Sequence, residues 1–416
     1  MHSVSEALSI VLQKVMAGSS EIVPLQQSRL RVLAEDLLVP HDSPLFDKAL
    51  MDGFAVHVPD HTGFADRLSG TAISFEVVEV LTAGRTPTIR LAGHLAARIM
   101  TGAPLPEGCN CVVPVEQTEF DESRPELVRI PVSVLRHEAC LLRRGTAARA
   151  GSILLKAGTR VQPQQIAALA EFGLSSVRVA RQPRVAVLAT GDELSSIDQA
   201  LVPGAIHNSN EPMLIAQIEA SGAIPVGLGI AQDEEGQLRA GIQRGLEHDF
   251  FLLTGGVSAG ILDLVPRQLA LAGVEQHLHG VHMKPGKPLW FGSYKQVARQ
   301  CLVFGLPGNP VSSLACFELF VRPALQNFVK QTSSAQALTA RLSDTARVSG
   351  NRPVYHPVTV SIQDGSLTAR LVPWSGSSDL KATVDANGMA LLLPERGQYS
   401  AGEIVEILLW GDQSLG

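Results

Sequence analysis

Between Pro183 and Gly256 the chain alternates apolar runs with amphipathic stretches, and this alternation restricts the possible folds more than any other feature. "PRVAVLAT" reads as a buried strand and "NEPMLIAQIEASG" as a helix closed by Gly222. "AIPVGLGIAQD" reads as the next strand, "EEGQLRAGIQRGLEH" as a helix, and "DFFLLTGG" as another strand. Strands separated by helices pack as right-handed crossovers onto a parallel sheet covered on both faces. Ligands of such sheets bind beyond the carboxyl ends of the strands. Those ends are Thr190-Gly191-Asp192-Glu193, Asp233, and Thr254-Gly255-Gly256-Val257-Ser258.

At 416 residues the chain exceeds what one ordinary core holds. Residues 1–40 carry helical patterns and lead into a Pro-, Asp- and Ser-rich loop, "PHDSPLFDKALMDGFAV". "ISFEVVEVL", "AARIMTG", "CNCVVPVEQTEF" and "ELVRIPVSV" then read as short strands separated by Gly and Pro. A helix starting after Pro163 and a strand return to the layer left near residue 45, which makes the β module an insertion. From about Ala335 short strands and Gly/Ser turns resume. The expected fold is a multidomain α/β protein with a central βαβ domain, a small inserted β domain and a C-terminal β domain. The expected boundaries are 1–45 with 141–181, 46–140, 182–330 and 335–416.

With 45% hydrophobic and 18% charged residues the chain is globular rather than disordered. A net charge of -6 argues against nonspecific nucleic-acid binding, which needs a basic surface. No apolar run approaches the ~18 residues of a membrane span, and the N-terminus lacks a signal-peptide pattern. Five scattered cysteines fit a reducing cytoplasm, the expected location. Cys109 and Cys111 have no second ligand pair to complete a metal site. His277, His279 and His282 suit strand packing better than zinc binding.

Three short elements carry the chemistry. In "LLTGGVSAG", Gly255 and Gly256 let backbone N–H groups converge on an oxyanion, with the Ser258 hydroxyl as a further donor. "GLPGNPVSSLACFELF" adds a strand end, a turn through Pro307, Asn309 and Pro310, and a helix N-terminus containing Ser312 and Ser313, expected to offer free N–H donors. "HMKPGKPLWFG" places Lys284 and Lys287 around a Pro-Gly turn, as a pair of cations held for an anion. The same edge collects the carboxylates Glu193, Asp233 and Asp263, with Asp52 from the first loop. Hard oxygen ligands beside phosphate sites favour magnesium. Each of these acids also fits a helix N-cap or turn, Asp233 particularly well.

The segments "MDGFAV", "RIMTGAPLPEG", "VVPVEQT", "ATGDEL", "LTGGVSAG", "KPGKP" and "GLPGNPVS" occur in the order seen in the MoeA family, which the chain resembles over essentially its whole length. The resemblance implies that the central domain is a MogA-like molybdopterin-binding domain. It also implies a homodimer with its site between subunits. The implied reaction takes adenylylated molybdopterin and molybdate and, with Mg2+, releases AMP and molybdenum cofactor. On this basis Lys284 and Lys287 hold molybdate or phosphate, and Glu193 and Asp263 serve magnesium and pyrophosphate cleavage. Pro307 and Pro310 shape the adjoining loop. Asp52 and Thr101 belong to the dimer-side wall, and Ser377 matches the family's Gly-Ser element. The molybdopterin adenylyltransferase and apo-molybdoenzymes are the implied protein partners, with no nucleic acid and no membrane.

The chain departs from the family pattern at Ala49, Thr146, Ala147, Ile261 and Pro357, where the family has serine, acids or arginine. These losses leave open a paralogue that binds or scaffolds cofactor without inserting metal. Tungstate in place of molybdate, and a nucleotide-processing enzyme on the same fold, are further readings.

Overall fold

Six strands form the main sheet: β1 (Arg184–Thr190), β2 (Ile224–Ala231), β3 (Phe250–Thr254), β4 (Glu275–His279), β5 (Trp290–Lys295) and β6 (Gln300–Leu306). The computed structural model describes residues 1–59, 72–257, 264–296, 299–332 and 338–411. They divide into two compact units, one of residues 1–35, 157–170 and 174–416, the other of residues 36–156 and 171–173. The main sheet belongs to the first unit, with strand order β2-β1-β3-β6-β5-β4.

The central strand shows why the sheet forms. Phe250 and Leu252 pack in one cluster with Leu214 and Ile218 of helix α1 (Asn210–Ala220). Phe251 and Leu253 pack in another, with Leu238 and Ile242 of α2 (Glu235–Gly245) and Val265 and Leu269 of α3 (Leu264–Leu271). All four strand side chains are fully buried. Each such burial stabilises the fold by about 1.5–3 kcal/mol. A strand apolar on both faces belongs inside a parallel sheet covered by helices, and β1, β2, β3 and β6 are indeed parallel. Strand β5 departs from the all-parallel expectation, pairing antiparallel with both β4 and β6. The connections 280–289 and 296–299 are too short for a crossover helix, so the chain can only reverse.

The opening segment is also less helical than its pattern suggests. Only Val4–Lys14 is helical, started by a capping box between Ser3 and Glu6. Ser20–Pro24 instead pairs antiparallel with Ser176–Ala180, because the β-branched Ile22 and Val23 before Pro24 favour extended backbone. The C-terminal segment closes a five-stranded barrel from Leu338–Leu342, Ser366–Leu371, Val354–Gln363, Gly388–Leu392 and Ile404–Leu409. Val358, Val360, Ala369 and Ile407 are among the residues that fill it.

The second unit is built on a six-stranded sheet in which Gly53–Val56 lies between Cys111–Pro114 and Leu95–Ile99. Period-two alternation places Ala55 in one cluster and Phe54 and Val56 in another. Cys109 and Cys111 fall in these two different clusters, and burial pushes each thiol up to about 11. They are packing residues.

Gly245 tests the helix-to-sheet packing. Alanine normally improves a helix over glycine by up to about 1 kcal/mol. A Cβ at Gly245, however, would stand 2.4 Å from Phe251 Cε2. Overpacking of this kind costs about 1–3 kcal/mol, so Gly245→Ala should lower the urea midpoint; a raised midpoint would show that the layers have room to separate.

Candidate functional site

Beyond the carboxyl ends of the strands lies a cavity of about 670 Å³. Its walls are the turns after β1 (Thr190, Gly191, Glu193), β2 (Asp233), β3 (Thr254 to Val257) and β6 (Pro307 to Pro310), with Pro288 and the barrel residues Ser378 and Leu380. Gly255 and Gly256 have φ of 92° and 59°. A Cβ on Gly255 would meet the Thr190 carbonyl oxygen at 2.4 Å, and one on Gly256 would meet Val265 Cγ2 at 2.7 Å. Only glycine fits this turn. The two glycine loops nearly touch, since a Cβ on Gly308 would lie 3.7 Å from Gly255 Cα. Among the described residues, the N–H groups of Gly256, Gly308 and Asn309 have no protein acceptor. Three backbone donors without a protein partner at one cavity are the kind of group that can bind an oxyanion.

The helix after this loop, α4 (Pro310–Cys316), does not supply the free donors expected of its N-terminus. Pro310 has no N–H. Val311 donates to the Ser377 carbonyl at 3.1 Å, and Ser312 and Ser313 both donate to the Asn309 carbonyl, at 3.0 and 3.1 Å. The tight first turn uses the donors up. Ser312 and Ser313 are buried, and the Ser313 hydroxyl is bound to the Pro307 carbonyl at 2.5 Å. Ser377 acts as a fastener, accepting from Asn309 Nδ2 at 2.8 Å.

The lysine turn is rigid but set differently from the expected pair of cations. Gly286 has φ of 100°, and a Cβ there would stand 2.7 Å from Cys316 Sγ. The Lys284 N–H donates to the Pro353 carbonyl at 2.9 Å, and its carbonyl accepts from Tyr355 at 2.8 Å. Pro288 lines the cavity, whereas Lys284 and Lys287 are exposed and are not among the lining residues. The two ammonium groups therefore do not wall the cavity. The Lys284 ammonium lies 5.9 Å from the centroid of the Trp374 ring.

Glu193 is exposed, with its carboxylate folded back over Gly191, where a Cβ would stand 2.5 Å from Oε2. Asp192 Oδ1 accepts the Asp233 N–H at 2.9 Å. Ser258, Ile261 and Asp263 lie outside the described residues. Among the described residues no group of three or more His, Cys, Asp or Glu side chains could hold a metal by itself. Of these acids Glu193 and Asp233 line the cavity, and carboxylate oxygen is the donor type that magnesium takes together with phosphate oxygens and water. The three histidines have separate hydrogen-bond partners: His277 the Ser293 hydroxyl, His279 the Val257 carbonyl and His282 the Asn351 carbonyl.

In the second unit, the N–H and the hydroxyl of Thr101 both donate to Asp52 Oδ1 at 2.7 Å. These bonds hold the Asp52 carboxyl below the usual carboxylate range. Ala49 is buried in a two-residue strand against Leu141. The Thr146 hydroxyl is turned to the Arg143 carbonyl at 2.6 Å. In the barrel, the Pro357 carbonyl accepts from the Val372 N–H at 3.1 Å and from His356 Nδ1 at 2.9 Å.

Sequence reasoning missed Asn210, whose Nδ2 donates to the Gly308 carbonyl at 2.7 Å and ties α1 to the cavity loop. "HNSNEP" reads as ordinary helix-capping polarity. It also missed a neighbouring cavity of about 700 Å³ that shares Leu194 and Asn208 with the first. Ile197, Ile215 and Ile230 give it apolar walls, and Gln199, Gln232 and Gln237 give it amides.

The family profile described as "MoeA N-terminal region (domain I and II)" matches residues 2–173. "Probable molybdopterin binding domain" matches residues 186–327, and "MoeA C-terminal region (domain IV)" residues 339–410. The chain is 35% identical to the molybdopterin molybdenumtransferase of Bacillus subtilis over 409 residues, 98% of this chain and 93% of that protein. It is 33% identical to the protein of the same name from Nostoc, covering 98% and 94%. The crystal structure of the molybdopterin biosynthesis MoeA protein from Pyrococcus horikoshii OT3 superposes with a TM-score of 0.81 at 25% identity, over 99% of this chain and 100% of that one. With profiles covering most of its length and relatives above 30% identity from end to end, the chain belongs to the MoeA family.

Proposed function

We propose that this chain inserts molybdate into adenylylated molybdopterin, releasing AMP and molybdenum cofactor. The observation that carries the reading is the oxyanion receptor formed by Gly256, Gly308 and Asn309 at the carboxyl ends of the sheet, in a chain whose relatives are named molybdopterin molybdenumtransferase. Those N–H groups would bind phosphate oxygens of the pterin nucleotide. The apolar and amide walls next to them would hold its organic body. Glu193, on the cavity wall, would meet magnesium together with phosphate oxygens and water, and magnesium when bound neutralises phosphate charge. Lys284 and Lys287 would draw molybdate to the rim, since exposed cations raise the local concentration of an anion without being buried.

Two subunits are part of the same reading. Ile197, Leu201, Val202 and Ile206 are all exposed within one short segment, the kind of apolar surface a partner covers. Light scattering on the purified chain should give twice its mass; a monomer at all concentrations would remove the homodimer from the proposal.

The reaction is tested by supplying pure protein with adenylylated molybdopterin, molybdate and magnesium and following AMP. Lys287→Ala should reduce AMP release at least tenfold while leaving the urea midpoint nearly unchanged, because removing an exposed charge costs no more than about 0.5 kcal/mol. Full turnover in that variant would demote the lysine turn to a scaffold element. The displacement of both lysines from the cavity wall favours a second reading, a chain that binds molybdopterin without inserting metal. Calorimetric binding of molybdopterin by a wild-type protein that releases no AMP would decide for it.

A further inference from the structure

Lys284 is exposed, yet among the described residues no carboxylate forms an ion pair with it. An aromatic face holds it instead. Its Nζ stands 5.9 Å from the centroid of Trp374, inside the ~6 Å reach of a cation–π contact. The indole is braced in turn by His356, which meets it edge-on at 5.3 Å and 82°. The bond from His356 Nδ1 to the Pro357 carbonyl, 2.9 Å, fixes that imidazole. Burial pushes the His356 pKa down, against the raising effect of the Pro357 carbonyl bond and with the help of the nearby Lys284 charge. The backbone of Lys284 is tied to the same barrel through Pro353 and Tyr355. Root and tip of the side chain are therefore both held by one domain.

The loop that begins at Trp374 also reaches the cavity. The Ser375 N–H and hydroxyl donate to Asp379 at 3.0 and 2.8 Å, Ser377 fastens Asn309, and Ser378 lines the wall. A carboxylate in place of the indole would neutralise the lysine. A π face orients a cation and leaves its charge available to a third group.

We infer that Trp374 is a positioning residue, holding the Lys284 ammonium so that it meets a tetrahedral oxyanion at the mouth of the cavity. The inference rests on the oxyanion-handling function proposed above. Calorimetric titration of the full chain with sodium molybdate tests it. Trp374→Leu should weaken binding about fivefold, and Trp374→Phe, which keeps a π face, should recover most of the loss. Equal affinity in wild type and Trp374→Leu would overturn the inference and leave the functional proposal standing. No molybdate binding by the wild type would sink both. A readout without ligand guards against misfolding: Lys284→Met should shift tryptophan emission in the wild type but not in a Trp374→Phe background. Unchanged emission in the wild type would show that the contact does not exist in solution.

Discussion

With Phe250 and Leu252 locked into one layer and Phe251 and Leu253 into the other, β3 cannot shift by a single residue. Such a slip would move every side chain to the opposite face and exchange two shaped cores. The end of the strand at Thr254 is thereby set, and the chain must turn against the Thr190 carbonyl, where a side chain has no room. Strand β6 lies next to β3 in the same register-locked sheet. Its exit loop is thus delivered to the turn at Gly255 and Gly256. The oxyanion receptor is a consequence of packing several residues away, which is why its donors can be backbone groups with no side chain dedicated to the task.

Loops built of Gly and Pro make few contacts of their own, so something must hold them. In this unit the barrel does it. Ser377 takes a donor from each of Asn309 and Val311, and the segment Pro353 to Tyr355 grips the backbone of Lys284. Each bond adds only about 1 kcal/mol, but both loops are fastened at their functional ends. The barrel acts as a clamp on the strand-end loops, a role that its own composition of short strands and Ser/Gly turns does not advertise.

How much was legible in the sequence follows from range. The βαβ core could be read because its signal is local: apolar runs, a closing Gly222, and Gly255-Gly256 directly after a buried strand. The reversal at β5 was legible only in hindsight, through the lengths of its connections. Lys284 and Lys287 read as a fixed pair of cations because turn chemistry sets a backbone, but it leaves side-chain direction open. The Lys284 ammonium stands 5.9 Å from the centroid of Trp374, a ring 90 residues further on. The donors of α4 were misread for a related reason: helix starts leave N–H groups free in general, whereas Asn309 and Ser377 consume them here. Asn210 escaped because an asparagine at a helix start is ordinary polar material until its partner, the Gly308 carbonyl, is known.

These particulars bear on how an acidic chain accommodates multiply charged anions. A cluster of arginines would bind phosphate oxygens strongly but would hold a product as tightly as a substrate. The chain instead has neutral N–H dipoles at the cavity wall and two exposed ammonium groups outside that wall, one of them 5.9 Å from the centroid of an indole. Wall dipoles act only at contact, so they discriminate by shape. Exposed charges act over the ~8–10 Å of a Debye length, so they attract anions without choosing among them. Contact dipoles and longer-range charges thus sit on different elements, the first on the strand-end loops of the sheet and the second on a turn held by the barrel.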